Sequence, residues 1–472
     1  MAQRIPKTSH SVEDLLNDCK VIPKDLEECL KQLKGFMKPF VACLPREELR
    51  GHGNTFMAGL LSDLERKSTE PIAERAGQYR RQLQYFIGES PWDSEPLLDE
   101  LNHQVAREMG SSEGVLIFDS SGFPKKGTES VGVARQWCGR LGKVDNCQVG
   151  VFMGYATPAG HTLVDERLYL PKEWARDKAR RAKCHMPASV RFKTEHRLCL
   201  EMLKARGPQL PHRWITGDDA FGAPAWFRKR LRRMNERYLL EIPGTIGVCA
   251  EEDPPVRERA GRPRKAAFRS AALWKEKVPD ESWVRITIRA GLKGPLVVWA
   301  TRMRVRTRFG QKRRGEPEWL VVTRTEAKAP EVRYWLSDAG ADVSLEEMVR
   351  VANARYWVED SLERAKGEVG LAHYEVRSWQ GWHHHMTLSL IALWFLVLEQ
   401  RRLNNKTPAM TLQQSAHAVG EILRDPHVNV RRLARRITQR LKRNEWARIH
   451  HWRQAHCLPP PWTIARAVYV AQ

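Results

Sequence analysis

The sequence predicts an α/β chain built on a mixed sheet flanked by helices, and three changes of pattern predict it. Near residue 111 helical hydrophobic spacing gives way to short apolar runs of strand length. From there three strand patterns follow one another, then helix, strand, helix and strand alternate, the order of a mixed sheet with helices packed on it. Near residue 244 the alternation yields to β-branched and aromatic segments, and helical spacing returns only at Ser344. These changes divide the chain into an N-terminal helical domain (1–110), a first part of the core (111–243), a β-rich basic insertion (244–342), a second part of the core (343–403) and a basic helical tail (404–472).

Composition bounds the possibilities. A chain of 472 residues usually folds as two to four domains. Lys plus Arg is 79 against 56 for Asp plus Glu, a formal charge of +23. Self-repulsion of that size is relieved by a polyanion, which makes nucleic acid the leading partner. The nine cysteines are scattered with no Cys-x-x-Cys, which argues against a zinc ribbon or a secreted disulfide framework. Cys184-His185 with His196 is too loose to be a metal motif. The N-terminus carries no apolar signal core. The most apolar run, Met386 to Leu398, has 13 residues, short of the ~20 that span a bilayer. A soluble protein of a reducing compartment, with no membrane partner, is expected.

Each element has a local reason. Asn54 to Arg66 places Met57, Leu60, Leu61 and Leu64 on one face, and Ser94 with Pro96 opens a helix carrying Leu97, Leu101 and Val105. Val115 to Phe118 is a strand ending at Asp119, followed by Ser120-Ser121-Gly122. Cys147 to Ala156 and His161 to Leu170 are further strands around a turn at Pro158-Ala159-Gly160. A helix spans about Thr194 to Ala205. Arg213 to Thr216 is a strand ending in Gly217-Asp218-Asp219, Pro224 opens a helix through Met234, and Tyr238 to Ile242 is a strand.

In the insertion, Glu251 to Lys265 reads as a loop, followed by strands at Val284 to Arg289, Leu296 to Val305, Trp319 to Thr325 and Val332 to Leu336. Residues two apart share a strand face, so Arg302, Arg304, Arg306 and Arg308 would form a cationic stripe, with Lys312, Arg313 and Arg314 beyond it. A charged edge strand that discourages further pairing fits equally well. Trp382 to Gln400 is apolar nearly all round, as a helix buried against a sheet is. His383-His384-His385 cannot converge on one metal, since consecutive helical residues point ~100° apart; they read as helix-end residues that face the site at one or two positions at most. The tail from Asp425 is helical and basic.

Ser344 to Gly370 reads as one helix, with a capping box at Ser344 and Glu347 and stops at Gly367 and Gly370. It sets Arg355, Glu359 and Lys366 on nearly one face. Alone, such a stripe is a solvated surface of paired charges. Combined with two strand-end aspartates, Asp119 and Asp218, it makes an acidic set fit for hard divalent cations, which prefer carboxylate oxygens. Two such ions can activate an attacking hydroxyl and stabilise the leaving oxygen of a phosphoryl transfer. Three carboxylates without metal would repel one another and raise their own pKa values. Lys125, Lys126, Arg355 and Lys366 would surround them with charge suited to a DNA backbone.

At these residues the chain resembles the DDE transposases of insertion sequences, most of all the IS701 group within the IS4-like class. The resemblance runs from roughly Phe56 to Leu398. It includes GLLSDLERKSTEPIAERAG, FDSSGFPKKGT, RLGKVDNCQVGVFMGYA, ITGDDAFG and RYWVEDSLERAKGEVGLAHYEVRSW. It implies an RNase H-like catalytic core, with Asp119, Asp218 and Glu359 as catalytic residues holding two Mg²⁺ ions, Mn²⁺ serving as substitute, and no nucleotide cofactor. Asp219 is then a neighbour of the ligand Asp218. Arg355 and Lys366 match the end of the class signature Tyr-x2-Arg-x3-Glu-x6-Lys, whose Tyr position is Ala352 here. Lys125 and Lys126 join them as DNA-binding residues. Implied further are a homodimer that binds the terminal inverted repeats, cleaves DNA and joins 3′-hydroxyl ends to target DNA, in the bacterial cytoplasm at the nucleoid. Trp299 or Trp319 would stack a displaced base, and both fit equally well as strand core residues. Two other readings stay open: a catalytically silent, DNA-binding remnant acting as repressor or architectural protein, and a nuclease that cuts without joining.

Overall fold

In a computed structural model of the chain the described residues are 9–11, 16–252, 268–275, 278–289, 296–309, 313–327, 329–404, 410–424, 429–455 and 468–470. Most of the expected loop at Glu251 to Lys265, and Lys312 of the cationic run, lie outside them.

Five helices come first: α1 (Pro23–Ala42), α2 (Glu47–Leu61), α3 (Thr69–Arg75), α4 (Arg80–Gly88) and α5 (Glu95–Met109). Ser94 stands at the N-cap of α5 but makes no capping bond; Asp93 Oδ1 accepts from the Glu95 N–H instead, at 3.0 Å. The core strands follow as β1 (Val115–Pro124), β2 (Ala134–Cys138), β3 (Lys143–Thr157) and β4 (Gly160–Leu168). Then come α6 (Glu195–Arg206), β5 (Trp214–Gly217), α7 (Ala225–Arg233) and β6 (Tyr238–Ile242). The insertion adds β7 (Gly247–Ala250), β8 (Val284–Arg289), β9 (Leu296–Phe309), β10 (Arg313–Thr325) and β11 (Val332–Ser337). Helices α8 (Leu345–Ala354), α9 (Tyr356–Glu368), α10 (Trp379–Asn404), α11 (Leu412–Arg424) and α12 (Val430–Ala455) complete it.

Among the described residues one mixed sheet of twelve strands runs through core and insertion alike, in the order β2–β3–β1–β5–β6–β11–β10–β9–β7, with β4 on β3, β8 on β9 and the two-residue strand Arg269–Ser270 on β7. β1, β5 and β6 are parallel neighbours. β1 pairs antiparallel with β3, and β6 antiparallel with β11. The insertion therefore continues the core's sheet rather than hanging from it. Strand β1 does not end at Asp119 as its apolar run predicts. Its partner β5 ends opposite Phe118, but β3 stays paired with it to Pro124, so the strand continues with one flank open.

Helix α10 is buried on every side, between β4 and helices α1, α2, α4 and α5, as its all-round apolarity requires. The single helix expected over Ser344 to Gly370 is two. Ser344 Oγ caps the first, accepting from the Glu347 N–H at 3.1 Å. The ladder breaks at Arg355, between halves that pack differently: α8 touches β8 and β9 of the insertion as well as β1, β5 and β6. Val349 of α8 packs with Ile286, Ile288, Val298 and Ala300 of the insertion, whereas α9 lies on β1, β3 and β4. Helix α9 ends at Glu368, two residues before Gly370, whose φ of +71° is left-handed, with the Leu371 N–H bonded to Ala365 O at 3.0 Å. A glycine absorbs that conformation without strain.

Candidate active site

The sheet's register sets the carboxylates. Phe118 on β1 pairs with Gly217 on β5, and Gly217 with Leu240 on β6. The next residue on each strand is Asp119, Asp218 and Glu241. Three carboxylates thus stand in a row across parallel strands about 4.8 Å apart. Asp218 is turned by its own backbone: it is the N-cap of the short helix Asp219–Gly222, and its Oδ1 accepts from the Phe221 N–H at 3.2 Å. Asp218 is half-buried and Asp219 exposed.

Glu359, in the first turn of α9, comes to this row through Arg355. Arg355 Nη1 lies 2.7 Å from Glu359 Oε1, and its Nε 3.2 Å from Glu241 Oε2. Burial opposes the charge on Arg355, but Glu359, Glu241, Asp119 and Asp218 outweigh it and hold its pKa above the ordinary value. Burial, reinforced by Asp218, pushes Asp119 up to about 7, against the pull of the Ser120 N–H and Arg355. Burial also raises Asp218, with Asp219 adding to it, and raises Glu241. Glu195, at the start of α6, accepts from Ser120 Oγ and is itself raised by burial and by Asp218.

The expected cations separate. Lys366 Nζ donates to Ser121 Oγ at 2.6 Å, two residues along β1 from Asp119. Lys126 is exposed. Lys125 turns inward: its Nζ donates to Tyr374 O at 3.1 Å and sits 3.5 Å above the Tyr374 ring, and burial pushes its pKa down to about 8. A cleft of about 230 Å³ beside Glu359 is lined by Arg289, Arg333, Arg350, Arg355 and Tyr356, between the insertion and the α8–α9 pair. Ala352, where the class signature has Tyr, lines it too, one helical turn before Tyr356.

Other expectations find ordinary homes. His383 meets Glu166 at 3.2 Å, His384 Nδ1 and Nε2 lie 2.9 and 2.8 Å from Ile87 O and Trp92 O, of which a neutral ring donates to one, and His385 bonds Gly370 O at 3.1 Å. Burial pushes all three down, to about 3, 4 and 3, so they stay neutral. His383 and His384 line a separate cavity of about 450 Å³ with Trp92, Glu166 and Trp379, and none of the three lines the Glu359 cleft. The insertion's cationic stripe is largely engaged within the chain. Arg302 and Arg304 flank the Trp319 ring at 4.5 and 4.9 Å, and Arg304 pairs with Glu251 at 2.9 Å. Trp319 Nε1 donates to Ala339 O at 3.1 Å.

Among the described residues no three Asp, Glu, His or Cys side chains form a ready-made metal shell; Glu359 is engaged with Arg355. The donor set nonetheless fits a hard divalent cation. Asp218 raises the proton affinity of Asp119, and a cation between them would relieve the repulsion. Sequence reasoning missed Glu241 and Glu195. The signal for Glu241 was present, a lone carboxylate in the otherwise apolar strand Tyr-Leu-Leu-Glu-Ile.

The family model described as DDE superfamily endonuclease matches residues 39–295, more than half the chain, spanning Asp119, Asp218 and Glu241 and stopping before Glu359. A probable transposase for insertion sequence element IS701 from Microchaete diplosiphon is 24% identical over 329 residues, 67% of this chain and 75% of that protein. A cryo-EM structure of the piggyBac transposase synaptic complex with hairpin DNA overlaps 93% of this chain and 87% of its own, at 12% identity and a TM-score of 0.36.

Proposed function

We propose that this chain, which belongs to the DDE superfamily of endonucleases, is a transposase of the IS701 type: it binds the terminal inverted repeats of its element, cleaves the DNA and joins the freed 3′-hydroxyls to a target. The observation that carries this reading is the placing of Asp119 and Asp218 side by side on neighbouring parallel strands, with Glu359 tied to them through Arg355. We read β4–β3–β1–β5–β6 as an RNase H-like sheet, in which the acidic row stands where β5 ends and β1 loses a neighbour.

Asp119, Asp218 and Glu359 would hold two divalent ions, Mg²⁺ or in its place Mn²⁺. When bound, such ions supply an activated hydroxyl for attack on phosphorus and stabilisation of the leaving oxygen. The chain's own residues do the rest. Asp218 is kept in place by its capping bond. Arg355 and Lys366 are near enough to hold phosphate oxygens as charge-assisted donors. Arg289, Arg333 and Arg350 give the adjoining cleft a cationic wall for a strand entering beside Glu359, and Lys126, exposed past the end of β1, would be a separate phosphate contact. The exposed face of α12 and the N-terminal helices are the surfaces assigned to the element's ends and to a second subunit of a homodimer in the bacterial cytoplasm.

The test is a mobility assay in cells, with a marker flanked by the element's ends and either wild type or Glu359→Gln. Insertions with wild type and none with the variant are expected. Insertions with both would overturn the site. Metal-dependent cutting in vitro without insertions would show a nuclease that does not join, and binding without cutting a silent remnant.

A further inference from the structure

Resting on that reading of the site, we propose that Glu241 is a positioning residue, which through Arg355 fixes the orientation of the Glu359 carboxylate. Glu241 stands third in the row, beside Asp218, on the last of the three parallel strands. Its carboxylate is 3.2 Å from Arg355 Nε, whereas the other arginine near it, Arg333, is 4.0 Å away and already paired with Glu331 at 2.8 Å. Arg355 is therefore its principal partner.

The shape of the guanidinium makes that contact directional. Its three nitrogens are coplanar and rigid, so fixing Nε in one direction fixes where Nη1 points. Here Nη1 points to Glu359 Oε1 at 2.7 Å. Glu359 is 46% exposed and sits in the first turn of a helix that begins only at Tyr356, after the break in the ladder. A half-exposed carboxylate on a helix end has several rotamers, and holding it in one requires an anchor outside its own helix. The relay from β6 through Arg355 to α9 provides one, and joins the sheet, which carries Asp119 and Asp218, to the helix that carries the third ligand. A charge that merely balanced Arg355 would need neither the Nε edge nor a place in register with the aspartates.

The proposal is tested on the full chain without DNA. Mn²⁺ affinity is measured by electron paramagnetic resonance for wild type, Glu241→Gln, Glu241→Asp, Arg355→Gln and the Glu241→Gln/Arg355→Gln double variant, with the melting temperature of each taken in metal-free buffer. Glu241→Gln is expected to weaken Mn²⁺ binding about tenfold, and Glu241→Asp to restore most of it. In the Arg355→Gln background the Glu241 change should have no further effect, because the relay is already cut. Equal weakening in both backgrounds, or wild-type affinity in Glu241→Gln, would overturn the proposal. A wild type that binds no Mn²⁺ would count instead against the metal-centre reading. The metal-free melting temperatures would then decide the relay: non-additive losses support it and additive losses overturn it.

Discussion

Lys125 and Lys126 are adjacent in sequence and opposite in fate. Both lie past the end of β1, where Lys126 opens a bend, so strand alternation does not set their directions. The sequence showed two cations near Asp119; which of them turned inward depended on Tyr374, roughly 250 residues away, and no local pattern reports such a contact. Lys126→Met is therefore expected to flatten the dependence of log DNA affinity on log salt by about one unit, and Lys125→Met to leave it unchanged. An equal effect of both in a filter-binding salt series would contradict this. The aspartates were readable because each stands at the end of a predicted strand. Glu241 stood out only as a lone carboxylate in an apolar strand, and its meaning comes from register with two other strands.

Elements were readable in kind and misjudged in extent. Strand β6 and strand β8 carry the expected bounds, while the Glu359 helix broke at Arg355 and β1 overran Asp119 because a distant neighbour, β3, decided where pairing continued. Asp338, just past β11, is held by such a neighbour: its Oδ1 accepts from the Tyr238 N–H at 2.9 Å, and Arg232 lies 3.7 Å away. Burial raises its pKa to about 6 despite both. A carboxyl whose folded pKa exceeds its unfolded value contributes stability below about 4 and loses it as pH rises through 6. Asp338→Asn keeps the acceptor and cannot ionise. Its melting temperature should fall less between pH 4 and pH 7 than that of wild type; parallel curves would refute the assignment. At the other end, α12 carries nine Lys and Arg against one Glu. Its apolar face is buried, while Arg432, Arg435 and Arg440 are exposed. Replacing those three with Gln should lower the salt slope of DNA binding by about three units with little change in melting temperature, if this face meets the backbone.

Across the whole molecule, two buried arginines join what the sequence presents as separate parts. Arg206, at the end of α6, reaches Glu95 and Asp99 of α5 and, at 3.3 Å, the fully buried Asp165 of β4, tying the N-terminal helices to the sheet. Arg228 of α7 reaches Glu318 of β10 at 2.8 Å and Thr307 of β9 at 3.1 Å, with the Tyr238 hydroxyl donating to the same Glu318 at 2.6 Å. Removing one partner of a buried pair leaves the other charged and dry. Arg228→Ala should cost about 3–5 kcal/mol, read by chemical denaturation, and far less beside Glu318→Gln; additivity of the two would contradict a shared network. A mixed sheet flanked by helices followed from pattern alone, whereas these joints did not, because a charged residue at a helix surface looks the same whether it meets water or a carboxylate. The pairing of β6 with β11, Ile242 opposite Tyr334, has a further consequence for ancestry. The insertion leaves the core on one strand and returns on its neighbour, so its length does not alter the span the core must close, and closure entropy changes only logarithmically as it lengthens. The roughly 90 residues between Ile242 and Val332 are therefore the part free to grow or shrink in related chains. Kinship in such a lineage is better traced by the order of strand, strand and helix than by any fixed distance along the chain.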